Sequence, residues 1–144
     1  MKIKLKSGID GLLFGMREKD VKELYGNPSR SYKDDEDNTI YLYNDKKLRL
    51  TFYADEGFRL GYIIASHPDT ELSGTKIIGQ EWPALEAQLQ QNGLKAFEHE
   101  TFDSVDNYFN EDNWTIFQVE FGTVVRVEVG AIINAKDEFD WKFK

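Results

Sequence analysis

The sequence predicts an α+β domain of two tandem strand–helix–multistrand repeats, mainly antiparallel sheet, with two helices packed on one side. Three observations predict it. The stretch Gly15 to Pro28, GMREKDVKELYGNP, reads as a short helix opened and closed by glycine. Sixty-four positions on, Gly79 opens GQEWPALEAQLQQNG, where Leu85 and Leu89 fall at the offsets of Val21 and Tyr25. Each helix follows a short apolar run and precedes several period-two segments, the pattern of half-buried strands. No linker rich in Pro, Gly or Ser separates the two parts. One body of 144 residues is therefore expected, with repeats over about 9–66 and 72–134.

The elements follow in order. Residues 2–6 alternate Lys with Ile and Leu and read as an edge strand guarded by charge. Residues 9–14, IDGLLF, read as a strand leading into Gly15. The first helix spans roughly 17–25, and Gly26 and Pro28 end it because the one accepts a left-handed backbone and the other cannot continue a helix. Residues 29–38 are polar, and Asp34-Asp35-Glu36-Asp37 reads as a solvated turn, since the glycine and distal glutamate of a calcium loop are missing. Residues 40–43 form a short aromatic strand. Leu48, Leu50 and Phe52 alternate with Arg49, Thr51 and Tyr53, a turn follows at 54–57, and residues 58–65 return. His67-Pro68-Asp69 marks the passage to the second part.

There, residues 75–78 lead into Gly79. The second helix carries Trp82, Leu85 and Leu89, with Pro83 in its first turn and Gly93 at its far end. Strands are expected over 94–102, 114–121 and 124–129, with Gly122-Thr123 as the last hairpin turn. The tail, Phe139 to Lys144, alternates again and is read as a further edge strand.

Composition narrows the function classes. Hydrophobic residues make up 40% and aromatics 14%, which is a globular balance. There is no cysteine, which excludes disulfides, thiol catalysis and zinc–thiolate sites. No apolar run reaches the length of a membrane span, and residues 1–20 lack the pattern of a signal peptide, so a cytoplasmic address is expected. The net charge of −8 is uneven: residues 1–72 carry −1 and residues 73–144 carry −7. A chain without a basic stripe is not expected to bind nucleic acid.

The first repeat, Gly15-Met16 through Val21 to Gly26-Asn27-Pro28, resembles the G-M-x(4)-V-x(4)-G-x-P signature of the small lipoproteins of outer-membrane β-barrel assembly. A segment like Leu50-Thr51-Phe52 and a returning strand after Gly57 extend the resemblance over about residues 11–65. β-Lactamase inhibitory proteins are similar in a broader sense, as tandem copies of a helical segment plus a sheet. The resemblance implies a compact binding scaffold without chemistry of its own. The N-terminal cysteine of the lipoproteins is absent here, and the second repeat lacks the Gly-x-Pro ending.

Candidate chemistry is sparse. His67 and His99 are the only histidines, and neither has metal-ligand spacing. No nucleophile elbow, phosphate loop or dinucleotide fingerprint occurs. The expectation is no enzyme, no catalytic or metal residue and no cofactor. The informative surface is Ala96 to Val125, thirty residues without Lys or Arg. Here Glu98, Glu100, Asp103, Asp106, Glu111 and Asp112 accompany Tyr108 and Trp114. Acids among aromatics suit a basic protein, because charge speeds encounter and aromatics supply buried anchors. The leading reading is an immunity protein that neutralises a basic bacterial toxin such as a nuclease. The alternatives are a small-ligand module using a cleft lined by Tyr41, Tyr43 and Tyr62, and an oligomeric scaffold pairing edges at 2–6 or 139–143.

Overall fold

Period-two alternation decides the architecture. In the computed structural model, which describes residues 1–144, the alternating segments join into one antiparallel sheet of eight strands. These are β4 (Arg30–Lys33), β5 (Thr39–Tyr43), β6 (Leu48–Tyr53), β7 (Arg59–Ala65), β10 (Glu98–Phe102), β11 (Val105–Asn110), β12 (Thr115–Glu120) and β13 (Thr123–Gly130). Their spatial order is β10-β11-β12-β13-β7-β6-β5-β4. Short strands β1 (Ile3–Lys4), β2 (Gly8–Ile9) and β3 (Leu12–Leu13) form a second small sheet, and β8 (Glu71–Leu72) pairs with β9 (Thr75–Lys76). The two helices are α1 (Glu18–Tyr25) and α2 (Trp82–Gln91). The fold is α+β, as the periodicity predicts.

The register lines up the buried residues. Tyr41 sits opposite Leu50, Leu50 opposite Ile63, Ile63 opposite Val129, and Val127 opposite Phe117. All six are buried, so they form one continuous apolar face. Both helices pack against this face. Under α1, the Tyr41 hydroxyl donates to Glu18 Oε1 at 2.6 Å and the Tyr43 hydroxyl donates to the Gly26 carbonyl at 2.8 Å. Under α2, the Trp82 ring stacks on Tyr108 with centroids 4.2 Å apart and leans on Phe117 at 5.4 Å. Each fully buried Leu, Ile or Phe on this face contributes roughly 1.5–3 kcal/mol by removal from water.

Two glycines tie the helices to the sheet. Gly15 N–H donates to Leu60 O at 2.9 Å, and Leu60 N–H donates back to Met16 O at 2.7 Å. Gly79 N–H donates to Val124 O at 2.8 Å, and Val124 N–H donates back to Gln80 O at 2.9 Å. Both glycines hold positive φ, 106° and 90°, which other residues adopt only with strain. At the far end of α2, Gly93 (φ 96°) lets Leu94 N–H reach the Leu89 carbonyl at 2.9 Å.

Several expected elements differ. Residues 2–6 do not border the main sheet, because β1 pairs with β2 in the small sheet. The run 9–14 is two strands bent at Asp10-Gly11, where Asp10 has φ 49°. Residues 29–38 are not all loop: β4 pairs with β5, and its backbone supplies the hydrogen bonds that its polar side chains gave no sign of. The strand expected over 94–102 begins only at Glu98, after Leu94 has closed the α2 turn and joined the core. The last hairpin turns at Phe121-Gly122, both with positive φ, one residue before the expected pair. The tail makes a single bridge, Ile133 to Phe139, while Lys142 and Phe143 N–H both donate to Phe14 O, so it is a strap and not an edge strand.

Candidate functional site

The alternation that buries one face turns the other outward. On this open face Glu98 lies opposite Phe109, Phe109 opposite Ile116, and Ile116 opposite Glu128. The next row places Glu100, Asn107, Gln118 and Arg126 side by side. No helix covers these rows.

Glycine shapes the floor. A Cβ on Gly61 would lie 2.1 Å from the Tyr53 ring, and one on Gly130 would lie 2.3 Å from Cδ1 of Trp114. Each glycine therefore lets an aromatic ring lie flat on the strand. Trp114 itself adopts φ 45° at the end of a 3₁₀ turn over Glu111–Asn113, a conformation costly for a bulky residue. The turn is held by Asn110, whose buried side chain accepts from Asn113 N–H at 3.1 Å and donates to the Ala96 carbonyl at 3.1 Å. Trp114 stays 41% exposed, with its ring edge-on to Phe109 at 5.0 Å.

Two clefts meet at these rings. One, of about 380 Å³, is lined by Tyr53, Tyr62, Phe109, Trp114 and Ile116 with Glu98, Glu100 and Asn107. The other, of about 520 Å³, shares Tyr53 and Trp114 and adds Glu111, Asp112, Asp137 and the tail ring of Phe139. Five carboxylates and no Lys or Arg line the pair. At the inner wall, the Tyr62 hydroxyl donates to Glu128 Oε1 at 2.5 Å, and Gln118 Nε2 donates to Glu128 Oε2 at 2.6 Å. Burial, then this carboxylate, drive the Tyr62 hydroxyl far above the ordinary tyrosine range, so it is a fixed donor. A face of this kind can hold a cation against aromatic rings. It contains no paired nucleophile and base.

The eight residues singled out from sequence divide between two faces. Glu98, Glu100, Glu111, Asp112 and Trp114 line the clefts. Asp103 sits in the β10–β11 turn with φ 53°. Asp106 and Tyr108 face the helices instead. The His99 ring stacks on Tyr108 at 4.5 Å and Tyr108 on Trp82, while Asp106 Oδ1 is bound by His99 Nε2 at 2.9 Å and by the Thr101 hydroxyl at 2.8 Å. These bonds, from His99 first and Thr101 second, hold the Asp106 carboxyl below its usual range. Tyr41, Tyr43 and Tyr62 share no cleft, because the first two are buried under α1 and the third is on the open face. The sequence reading missed Tyr53, Asn107, Asp137 and the two glycine seats. Glycine inside a strand pattern, in RLGYI and VEVGA, is the signal that marks them.

No protein-family model matches the chain, and no curated protein matches it. Among solved structures, a DUF4309 family protein from Bacillus subtilis superposes with a TM-score of 0.55 at 17% identity, over 86% of this chain and 84% of that one. An extracellular protein containing an SCP domain, from Bacillus anthracis, superposes with a TM-score of 0.53 at 11% identity over 90% of this chain. The chain spans half the length of the latter. These likenesses concern the fold.

Proposed function

We propose that the chain is a non-enzymatic binding protein whose open sheet face receives a basic protein, most concretely a bacterial toxin domain that it neutralises in the cytoplasm. The observation that carries this reading is the joined pair of clefts, with five carboxylates, no base and rings seated on glycine. Aromatic rings can anchor a protein partner and the acids around them can attract a basic one. The scaffold has no part in chemistry. A tandem origin accounts for it: the Gly15–Leu60–Met16 bonds recur at Gly79, Val124 and Gln80, each sixty-four positions on. Both copies then contribute to the face, Tyr53 and Gly61 from the first and Trp114 and Gly130 from the second.

The test is capture by the immobilised chain, with stepped salt elution, from cytosolic and secreted fractions of the source organism. A basic protein should be retained at low salt and released as salt rises, because the attraction is screened. Reversing Glu98, Glu100, Glu111 and Asp112 to Lys should abolish retention and leave the melting temperature nearly unchanged, since all four are on the surface. Retention by the reversed chain equal to the original would sink the reading. The extracellular description of the Bacillus anthracis neighbour sets a competing address. Fractionation of the source cells decides between the two.

A further inference from the structure

Within that face, the smaller cleft is more specific than its charge. Its walls are the rings of Tyr53, Tyr62, Phe109 and Trp114, its rim carries Glu98 and Glu100, and its lining includes Asn107. Asn107 Oδ1 is shielded from water and accepts no hydrogen bond. A buried acceptor without a donor is unfavourable, and in native proteins such atoms are rare and want explanation. Directly across the ladder, Gln118 gives an amide hydrogen to Glu128 at 2.6 Å and makes no bond to Asn107. A donor carried in by a partner would satisfy it. The edge strand β10 is exposed along its whole length, so the Glu98 and Glu100 side chains are free to swing and admit it.

We infer that this cleft is a receptor for one arginine side chain of the basic partner, an inference that rests on the binding reading above. Three features select arginine over lysine. A guanidinium is planar and stacks on the aromatic walls, whereas an ammonium is a compact, strongly hydrated point charge. Its fork of N–H groups can donate to Asn107 Oδ1 and to the rim carboxylates together. At about 380 Å³, the cleft is at the lower end of small-ligand sites, which suits a side chain better than a folded element. Trp114 and its strained backbone then form a preset wall, so little ordering remains for the binding step.

The test is an NMR titration of the unaltered chain with three capped tripeptides, Gly-Arg-Gly, Gly-Lys-Gly and Gly-citrulline-Gly. The arginine peptide should shift the Trp114 indole N–H and the Asn107 side-chain amide and bind on the order of tenfold more tightly than the lysine peptide, the difference of a hydrogen bond to a charged group. The citrulline peptide, uncharged but of the same shape, should bind most weakly. Asn107→Leu should erase the preference for arginine. Glu98→Gln with Glu100→Gln, on the exposed edge where folding is not at stake, should weaken the arginine peptide and leave citrulline unchanged. Equal binding of the arginine and lysine peptides with no movement at Asn107 overturns the receptor and leaves the electrostatic face standing. No shift with any peptide also overturns it, and the salt-dependent capture of the basic protein then decides the wider reading separately.

Discussion

The two faces of the sheet share a backbone and differ in what stands on it. On the covered face, Leu50, Ile63, Phe52 and Phe117 are fully buried and the rings of Trp82, Phe97, Phe117 and Tyr108 fill the space under α2. On the open face, rings of similar size lie flat on glycine and leave clefts between them. The same residue types therefore serve opposite ends. Ring against ring without a gap stabilises the fold, whereas ring against glycine keeps an apolar surface in place that the fold does not need. What decides between the two is whether the strand beneath the ring carries a large side chain or a glycine.

The comparison is broken most forcefully from the covered side. Phe117→Ala should lower unfolding stability by about 3–5 kcal/mol, since it removes a fully buried ring and leaves a cavity among its neighbours. A chemical denaturation midpoint read with an unchanged slope measures it. A loss near 1 kcal/mol would mean that the core collapses around the gap, and the two faces would then differ less than their packing indicates.

A glycine seat tests the open side with a smaller effect. Gly130→Ala puts a methyl group 2.3 Å from Cδ1 of Trp114, so the ring has to leave. The expected loss is about 1–3 kcal/mol, the range for overpacking. It should fall when Trp114→Ala is added to the same chain, because that removes the clash. Basic-partner binding should be lost in both chains, and a Gly130→Ala chain that still binds at full strength would separate the ring from the site.

How far the sequence carries this contrast depends on the residue. Period two makes the buried row Leu48, Leu50, Phe52 legible, and the glycine–proline stop of α1 is equally plain. Residues 30–33 and 105–110 hide their strands, because their side chains are largely polar and their pairing is decided by the backbone of the neighbour. Acidity without bases over residues 96–125 points to Glu98, Glu100, Glu111, Asp112 and Trp114 of the candidate clefts. It fails to divide that run into two faces, since the one apolar member of 98–102, Phe102, is itself exposed and marks no inward side. Tyr53 and Asp137 are out of reach for another reason: they join Trp114 only through long-range contacts of β6 and the tail strap.

Asp106 offers the smallest and most selective test. Read from sequence it belongs with Glu98 and Glu100, yet its carboxylate is bound by His99 and Thr101 on the face toward the helices. Those bonds lower its folded-state pKa. A depressed carboxyl stabilises the fold above its unfolded value, about 3.9, and loses that contribution as pH falls through the folded value. Thermal unfolding of the original chain and of Asp106→Asn should therefore differ at neutral pH and converge as the pH falls through the lowered folded-state value. Because the carboxylate is only partly buried and still reached by solvent, the separation in melting temperature should be small. Partner binding at neutral pH should be nearly unaffected by Asp106→Asn, in contrast to the loss on reversing Glu98 and Glu100. If Asp106→Asn instead weakened binding as much as those reversals, the working surface would wrap around the edge strand onto the His99–Tyr108 stack, and the open face alone would not be the site.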